Sequence, residues 1–368
     1  MTHPSTKTTI LALECVVPEL ALTGADYAAM AASLSAQTAR ERSLIETVVR
    51  RSGIERRYSV LAERAERDSR MRLPFYEDAD GERSTAERME VYEQLAPPLA
   101  IRAARRALES AGIAGGAITH LVTATCTGFF APGIDQALIV QLDLPPELER
   151  MHIGFMGCHA AINALRAAQG LCQSNASARV LLICVELCTL HFQRGLGRHD
   201  LMPNSLFGDG AAAMVLKGAD AKSPAHALEL MNTASYLIPD SAALMTWRIG
   251  DTGFRMTLHS AVPDLIERSL GPVMTGFLAR HGVALADVAA WAIHPGGPRI
   301  LDSALRALHL PAEAGNASQA VLGAKGNMSS PTVLFILKQQ LELGTRGLIA
   351  AAAFGPGLTA EMGLFRAN

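Results

Sequence analysis

Short apolar runs that alternate with helix-forming stretches dominate the sequence from residue 119 onward. A β-rich run at 119–125 is followed by an Ala- and Leu-rich helical stretch at 158–174 and a buried strand at 179–187, and a glycine turn then leads into a strand at 208–216. Strands and helices that alternate in this way build a layered α/β fold rather than a helical bundle or a β-sandwich. The fold class predicted from this pattern is therefore α/β.

The second half of the chain repeats the rhythm. It holds predicted helices at 263–282, 298–310 and 330–343, and predicted strands at 288–293, 347–354 and 358–365. The stretch 217–226 contains glycine, serine and proline and is the best linker candidate between the halves. Since 368 residues are enough for two packed halves, we predict an N-terminal half over 1–220 and a C-terminal half over 221–368.

The N-terminal region is less regular. Residues 1–8 have the composition of a frayed tail, and 28–58 carries helix-forming residues that end in a basic stretch. Residues 59–90 are charged and polar, which predicts a surface excursion. Apolar residues at helical spacing then predict a helix over 91–110 that Gly112 ends.

Charge and targeting signals exclude several classes of function. The formal net charge is −2, with 33 Lys and Arg against 35 Asp and Glu, so no global field attracts nucleic acid or an anionic membrane. The N-terminus lacks a signal-peptide pattern, and no segment reaches the roughly 20 apolar residues that span a bilayer. No Cys/His cluster has zinc spacing. We therefore expect a cytoplasmic protein with free thiols, no metal, no membrane segment and no nucleic-acid partner.

Cys158 stands where a strand-like run ends and a helix-forming sequence begins. A thiol at a helix N-terminus lies near the positive end of the helix dipole, which favours the thiolate. Gly154 and Gly157 would allow a tight turn that exposes the sulfur. These features suit a nucleophile, and a buried structural cysteine is the alternative that the segment leaves open.

Two further residues lie at junctions. His294 follows an apolar strand and opens the turn His-Pro-Gly-Gly, at the strand end where α/β proteins place functional side chains. A structural histidine is the alternative there. Asn327 lies in Gly323-Ala-Lys-Gly-Asn-Met-Ser-Ser-Pro331, where it would otherwise cap the next helix.

Taken together, these segments resemble the type III polyketide synthases, the chalcone synthase-like family. The resemblance rests on Cys158, on the His294 and Asn327 motifs, on Ser205-Leu-Phe-Gly-Asp-Gly-Ala-Ala-Ala213 and on Phe354-Gly-Pro-Gly-Leu-Thr-Ala-Glu361. The segment Cys126-Thr-Gly-Phe-Phe-Ala-Pro-Gly133 is closer to the bacterial members than to the plant ones. The resemblance implies a thiolase-like fold, in which two related α/β halves form a five-layered αβαβα core, and it implies a homodimer.

The resemblance also implies the chemistry. Cys158 would accept an acyl group from an acyl-CoA starter, and His294 and Asn327 would donate hydrogen bonds to the enolate left when malonyl-CoA loses CO2. Iterative condensation and cyclisation to a pyrone or a resorcinol-type phenol would follow. Phe207 corresponds to an aromatic ring between the CoA tunnel and the cavity, where an apolar face disfavours the carboxylate. The substrates are CoA thioesters, and no cofactor is expected.

Other positions would form the pocket and the CoA site. The predicted pocket residues besides Phe207 are Cys126, Thr127, Cys188, His191, Trp247, Met256 and Ser329. Met256 stands where a second gatekeeping phenylalanine is common, which argues against a plant-type product. The predicted CoA-binding residues are Arg51, Arg50 and Arg299, and a solvated basic surface is their alternative.

Two rival functions remain open from the sequence. A ketoacyl synthase III-type enzyme would share Cys, His and Asn but condense onto acyl carrier protein. The His294-Pro-Gly-Gly motif argues against it, since that family shows His-Gln-Ala-Asn there. A non-catalytic family member is the second rival, and the intact Cys158, His294 and Asn327 argue against that one.

Overall fold

The computed structural model describes residues 8–65, 71–218 and 228–368. In these ranges the strands are β1 (Thr8–Val16), β2 (Ala21–Thr23), β3 (Arg56–Tyr58), β4 (Glu63–Arg64), β5 (Met71–Arg72), β6 (His120–Thr125), β7 (Glu149–Gly154), β8 (Arg179–Leu187), β9 (Asp209–Lys217), β10 (Leu228–Leu237), β11 (Met245–Gly250), β12 (Gly253–Leu258), β13 (Val288–Ile293), β14 (Gly347–Gly355) and β15 (Thr359–Ala367). The α-helices are α1 (Gly24–Ser35), α2 (Ala39–Arg51), α3 (Pro74–Glu77), α4 (Thr85–Ala111), α5 (Ile134–Gln141), α6 (Ala160–Ser174), α7 (Arg198–Leu206), α8 (Val262–Ala279), α9 (Pro298–Ala307), α10 (Asn316–Lys325) and α11 (Thr332–Glu342).

Nine of the described strands form one sheet, in the order β13-β14-β15-β10-β1-β9-β8-β6-β7. The N-terminal half supplies β1, β9, β8, β6 and β7, and the C-terminal half supplies the other four. The halves join where β1 pairs with β10 over only three residue pairs, from Thr8 opposite Leu230 to Ile10 opposite Leu228. This short antiparallel seam makes the two half-sheets continuous.

Each half-sheet buries both of its faces, because successive side chains on a strand point to opposite sides. Along β8, Leu181 and Ile183 pack with α4 in an outer core, whereas Leu182 and Cys184 pack in an inner core that contains α6 and α11. Strands buried on both faces read as continuous apolar runs. This explains why the sequence at 179–187 shows no polar alternation.

The C-terminal half follows the same rule. Along β14, Ile349 and Ala351 join the inner core, and Ala350 and Ala352 pack with α8 and α9 on the far side. The layers are therefore outer helices, first half-sheet, α6 with α11, second half-sheet, and α8 with α9. This five-layered αβαβα arrangement confirms the thiolase-like fold.

The predicted bounds of several elements agree with the observed bounds to within a few residues. The strands at 179–187 and 288–293 coincide with β8 and β13, and the helix that Gly112 ends is α4. Gly112 has a left-handed φ of 63° at the helix C-cap, a conformation that glycine adopts at little cost. The start of α4 lies earlier than predicted, at Thr85, because Ser84 and Glu87 form a capping box.

The N-terminal region is more structured than its sequence indicated. The helix-forming stretch 28–58 is largely helical, in two separate helices, α1 and α2, with threonine capping boxes at Thr23 and Thr38, and β3 follows. The stretch 59–90 is not only a surface excursion, since Tyr76 is fully buried and its hydroxyl donates to the Thr189 carbonyl at 2.9 Å.

The predicted tail at 1–8, apart from Thr8, and most of the predicted linker at 217–226 lie outside the described residues. The boundary between 1–220 and 221–368 therefore stays a prediction. Across residues 8–65, 71–218 and 228–368, every helix is too short or too polar to cross a lipid bilayer.

Candidate active site

Cys158 lies in a 3₁₀ turn, Gly157–His159, that connects β7 to α6. Its exposed fraction is 7%, and its surroundings form a cavity rather than open solvent. Gly157 has a φ of 78°, and a Cβ there would lie 2.6 Å from Cδ of Pro356. Only glycine fits this position. The close approach brings a turn of the C-terminal half against the turn that carries the thiol.

Asn327 is fixed by its backbone. Its N–H donates to the Leu206 carbonyl at 2.9 Å, and its carbonyl accepts from Gly208 N–H at 3.0 Å. These two bonds form a parallel bridge between Phe207 and Asn327 that crosses from one half to the other. Asn327 does not cap α11, whose N-cap position is Pro331. The side-chain Oδ1 instead accepts from Ser329 N–H at 2.8 Å, which leaves the amide NH2 as a donor.

The Cys158 thiol lies beside the loop between α10 and α11, which carries Asn327 and Ser329. Burial raises the pKa of the thiol to about 11, and hydrogen bonds from Ser329 and Asn327 act in the opposite direction. The structure therefore places Cys158 and Asn327 in one site. Although α6 begins only two residues after Cys158, the loss of hydration outweighs the effect of the helix terminus that the sequence suggested, so the pKa of the thiol is raised rather than lowered.

His294 is buried at the end of β13. Its backbone N–H donates to the Ala352 carbonyl of β14 at 2.8 Å, and β14 leads directly into the turn that contains Pro356. Both ring nitrogens are buried without a hydrogen-bond partner in the described residues. Burial, helped by the nearby His159, lowers the pKa of His294 to about 3. A neutral imidazole has one N–H donor and one acceptor nitrogen, and no described residue occupies either of them.

A cavity with an empty volume of about 1070 Å³, its solvent-open part included, surrounds the thiol. All eight predicted pocket residues line it together with Cys158: Cys126, Thr127, Cys188, His191, Phe207, Trp247, Met256 and Ser329. Ser329 also has a positive φ of 56° and lies 3.3 Å from the Cys126 sulfur. The sequence prediction thus gathered positions from both halves that the fold brings together.

One wall of the cavity is aromatic. The His191 ring stacks on Phe254 with centroids 4.2 Å apart, and Trp247 meets both rings edge-on. His191 Nε2 donates to the Thr127 carbonyl at 2.7 Å, while Nδ1 accepts from Phe254 N–H at 3.0 Å. Burial lowers the pKa of His191 to about 3, so the ring is a neutral wall element. Sequence reasoning missed Phe254, although the two-residue period of a strand relates it to Met256.

A buried carboxylate, Glu186, was also missed. It accepts from Cys126 N–H at 2.9 Å, from the Thr127 hydroxyl at 2.8 Å and from the Ser330 hydroxyl at 2.6 Å. Burial raises its pKa, and these donors oppose that shift. Glu186 ties the cavity wall of the first half to the loop after Asn327. An acidic residue within the apolar run at 179–187 was the available signal, because a buried charge requires partners.

A second cavity lies on the other side of α7. It has an empty volume of about 960 Å³ and is lined by Arg51, Arg299 and the Gly296–Gly297 turn that follows His294. Arg198, which the sequence reasoning did not select, joins this lining, whereas Arg50 is exposed and lies outside it. In the described residues, the Arg51, Arg198 and Arg299 side chains have no hydrogen bond or ion pair. Three unpaired cations around one cleft suit an anionic ligand.

Profiles of known families match nearly the whole chain. The profile "Chalcone and stilbene synthases, N-terminal domain" matches residues 2–221, and "Chalcone and stilbene synthases, C-terminal domain" matches residues 229–367. The chain is a type III polyketide synthase. Proteins of this family are acyltransferase-type condensing enzymes that use acyl-CoA substrates.

Relatives of this type III polyketide synthase include bacterial enzymes. It is 33% identical to an alpha-pyrone synthesis polyketide synthase-like protein of Mycobacterium tuberculosis, over 76% of this chain and 72% of the relative. It is 35% identical to the 1,3,6,8-tetrahydroxynaphthalene synthase of Streptomyces peucetius, over 73% and 72%. Among solved structures, PKS-I from the brown alga Ectocarpus siliculosus superposes with a TM-score of 0.90 over the full length of both chains at 30% identity.

Proposed function

We propose that this synthase loads an acyl-CoA starter on Cys158, decarboxylates malonyl-CoA, and repeats the condensation before the chain cyclises to a pyrone or a resorcinol-type phenol. The observation that carries this proposal is a buried thiol that contacts Asn327 and lines a mostly apolar cavity. A thiol in such a place is accessible to a thioester that enters the cavity and is shielded from bulk water.

In the loading step, His294 accepts the thiol proton and the sulfur attacks the thioester carbonyl. The tetrahedral oxyanion collapses, the acyl group stays on Cys158, and CoA leaves as a thiol with the proton that His294 returns. The two unpartnered ring nitrogens of His294 support this role, as does the continuity of β13, β14 and the turn that touches Gly157.

In the extension step, the malonyl thioester carbonyl accepts hydrogen bonds from His294 and from the Asn327 amide. The carboxylate leaves as CO2, and its electron pair forms the enolate whose charge those donors stabilise. The enolate carbon attacks the acyl group, a C–C bond forms, and the Cys158 thiolate is released. Phe207 lies at the bridge with Asn327 and lines the cavity, where its apolar ring disfavours the carboxylate.

The cationic cleft would hold the phosphates of CoA. Arg51 and Arg299 were predicted for this role, and Arg198 is added because it lines the same cleft. Leu206 borders the cleft, and the next residue, Phe207, borders the cavity. A pantetheine arm would therefore pass beside Phe207 to reach the thiol. No cofactor is proposed beyond these CoA thioesters.

The test is an assay with malonyl-CoA and acyl-CoA starters in the absence of carrier protein. We expect polyketide products under these conditions, identified by mass spectrometry over a panel of aliphatic and aromatic starters. A strict requirement for acyl carrier protein would favour a ketoacyl synthase III-type function and contradict the proposal. Absence of product with every starter, with or without carrier protein, would favour a non-catalytic role.

We also propose a homodimer that works in the cytoplasm. Strand β7 is an edge of the nine-stranded sheet, and apolar side chains near it are exposed: Met151 by 46%, Met156 by 39% and Phe129 by 38%. Apolar edges of this kind are normally covered by a partner. Sedimentation of the purified protein would test the dimer, and a monomer at all concentrations would contradict it.

A further inference from the structure

Arg57 is completely buried beneath the active site. Its Nη1 donates to the carbonyl of Asn204 at 2.8 Å and to that of Phe207 at 3.3 Å, and its Nη2 donates to the Ser205 carbonyl at 2.8 Å. These acceptors are the final carbonyls of α7 and the residue after it. The guanidinium therefore caps the negative end of this helix.

The charge of Arg57 has no acidic partner in the described residues. Its guanidinium carbon lies 3.7 Å from the centroid of the Tyr27 ring, and its Nε has no hydrogen-bond partner in the part of the chain that the structure describes. A buried cation without a carboxylate is costly unless its donors are closely matched. Only a planar fork donates to three carbonyls from one end, which an ammonium group does not reproduce.

The backbone that Arg57 holds is the backbone that positions two active-site residues. Phe207 follows α7, and the bonds of Asn327 to Leu206 and Gly208 continue from the same carbonyl cluster. A Cβ at Gly208 or Gly326 would lie 3.4 Å or 3.6 Å from the Arg57 Cβ. The base of the Arg57 side chain thus packs directly under the crossing of the two halves.

We propose that Arg57 is a positioning residue for decarboxylation, which sets the placement of Phe207 and Asn327 by capping α7. The inference rests on the proposed function, since it assigns those two residues to the decarboxylation step. Arg57 itself does not touch substrate. A misplacement of about 1 Å at a reacting centre costs on the order of 100-fold in rate, so loss of this cap should reduce decarboxylation more than it reduces access to the thiol.

A matched control exists in Arg88. It is also fully buried, and its Nη1 donates to the carbonyls of Leu190 at 2.6 Å and Phe192 at 3.0 Å. Its guanidinium lies over the Tyr76 ring, 5.4 Å from the centroid. Arg88 therefore binds carbonyls at a different turn, which carries His191 and does not bond to Asn327; unlike Arg57, it also pairs with Glu82 at 3.2 Å.

The experiment compares Arg57→Lys with Arg88→Lys and the unmodified enzyme. Two quantities are measured: the rate of CO2 release from malonyl-CoA, and the amount of Cys158 that iodoacetamide labels, located by peptide mapping. We expect both variants to lose thermal stability. The quantity compared is the ratio of kcat for decarboxylation to the fraction of Cys158 that is labelled. For Arg57→Lys, we expect this ratio to fall about 10- to 50-fold, and KM to change by less than about twofold. For Arg88→Lys, the same ratio should stay within about twofold of the unmodified enzyme.

Equal ratios in the two variants would overturn the positioning role, because a general loss of stability would then explain both. Asn327→Ala, assayed in parallel, separates this outcome from failure of the proposed function. An unchanged rate in Asn327→Ala contradicts the oxyanion role of Asn327, whereas a slow Asn327→Ala beside a normal Arg57→Lys overturns only the role of Arg57.

A milder variant covers the case in which Arg57→Lys does not fold. The Tyr27 ring lies against the Arg57 guanidinium, and Tyr27→Leu removes this cation–π contact while it leaves the carbonyl bonds of Arg57 in place. We expect a loss of about two- to fivefold in decarboxylation per labelled thiol. A ratio equal to that of the unmodified enzyme would overturn the proposal.

Discussion

On one side of α7 lies a cavity lined by cysteine thiols and aromatic rings, and on the other side lies a cleft lined by three arginines. The thiols in the cavity are buried, and burial raises the pKa of Cys126, Cys158 and Cys188. The arginines of the cleft are unpaired in the described residues. The two regions share a wall that is one helix thick.

This contrast shows how one chain handles a substrate of two chemical kinds. CoA carries phosphates that bind well to exposed guanidinium groups, whereas the acyl chain and its enolate react best where water is scarce. Because the two regions are separate, the cleft can bind the phosphates while the cavity excludes water from the reacting groups. The contrast leads to three predictions, each of which alters one region and examines the other.

Cys158→Ala should have the largest effect. Without a sulfur nucleophile we expect starter-dependent condensation to fall by at least about 1,000-fold. The cleft should be unaffected, so the dissociation constant for CoA, measured by calorimetry, should change by less than about twofold. Full polyketide output from this variant would refute the assignment of Cys158, and loss of CoA binding would show that the two regions are not independent.

His294→Gln should have the next largest effect. Burial raises the pKa of Cys158 to about 11 and lowers the pKa of His294 to about 3, so the thiol and the imidazole are both neutral near pH 7. The thiol proton therefore has to leave during attack on the thioester, and His294 is the proposed acceptor. Without it, we expect loading of the acyl starter on Cys158 to slow about 100-fold or more.

The measurement is the rate of Cys158 acylation by an acyl-CoA starter, followed by mass spectrometry from pH 6 to pH 11 in both proteins, with CoA affinity as the control for the cleft. Because the pKa of the thiol is raised, the deficit of His294→Gln should shrink as the pH rises toward 11, where the thiolate forms without a base. Equal acylation rates in the two proteins near pH 7 would show that His294 does not accept the thiol proton.

Replacement of the cleft arginines should have the smallest effect. Arg51→Met, Arg198→Met and Arg299→Met should each raise KM for malonyl-CoA about three- to tenfold, because exposed charges contribute modestly and salt screens them. The value of kcat should remain within about twofold, since the reacting groups are untouched. Arg42→Met, an exposed arginine on the same helix as Arg51, is the control. A fall in kcat with constant KM would place these residues in the chemistry instead.

Much of the fold was predictable because its signals are local. The strands β8 and β13 are short apolar runs bounded by turn residues, and Gly112 marks a helix end by its conformational freedom. The break between α1 and α2 depends on capping at Thr38. It was not predicted, because the composition of this stretch favours helix throughout. The buried Tyr76 lies in a polar stretch, and its burial depends on contacts with residues far away in the sequence, such as Thr189 and Phe192.

The residues of the candidate site also fall into two groups, those with a local sequence signal and those without one. Cys158, His294 and Asn327 were found because each lies at a junction within a distinct motif. Glu186, Phe254 and Arg57 were missed, because each is placed by hydrogen bonds to residues 59 or more positions away in the sequence. A sequence shows that Arg57 belongs to a basic stretch, but only the fold shows that it lies under α7. The division between the two halves and the catalytic roles stay predictions.

Asn327 is held by main-chain atoms on both sides, and this has an evolutionary consequence. Its two bonds to Leu206 and Gly208 join main-chain atoms, so they do not depend on which side chain stands at 327, and the Asn327 side chain adds the bond that its Oδ1 accepts from Ser329 N–H. Substitution at position 327 could therefore introduce a different hydrogen-bond donor during evolution while the fold stays unchanged. Chemistry and architecture are separable there, which makes the position a natural starting place for altered reactivity.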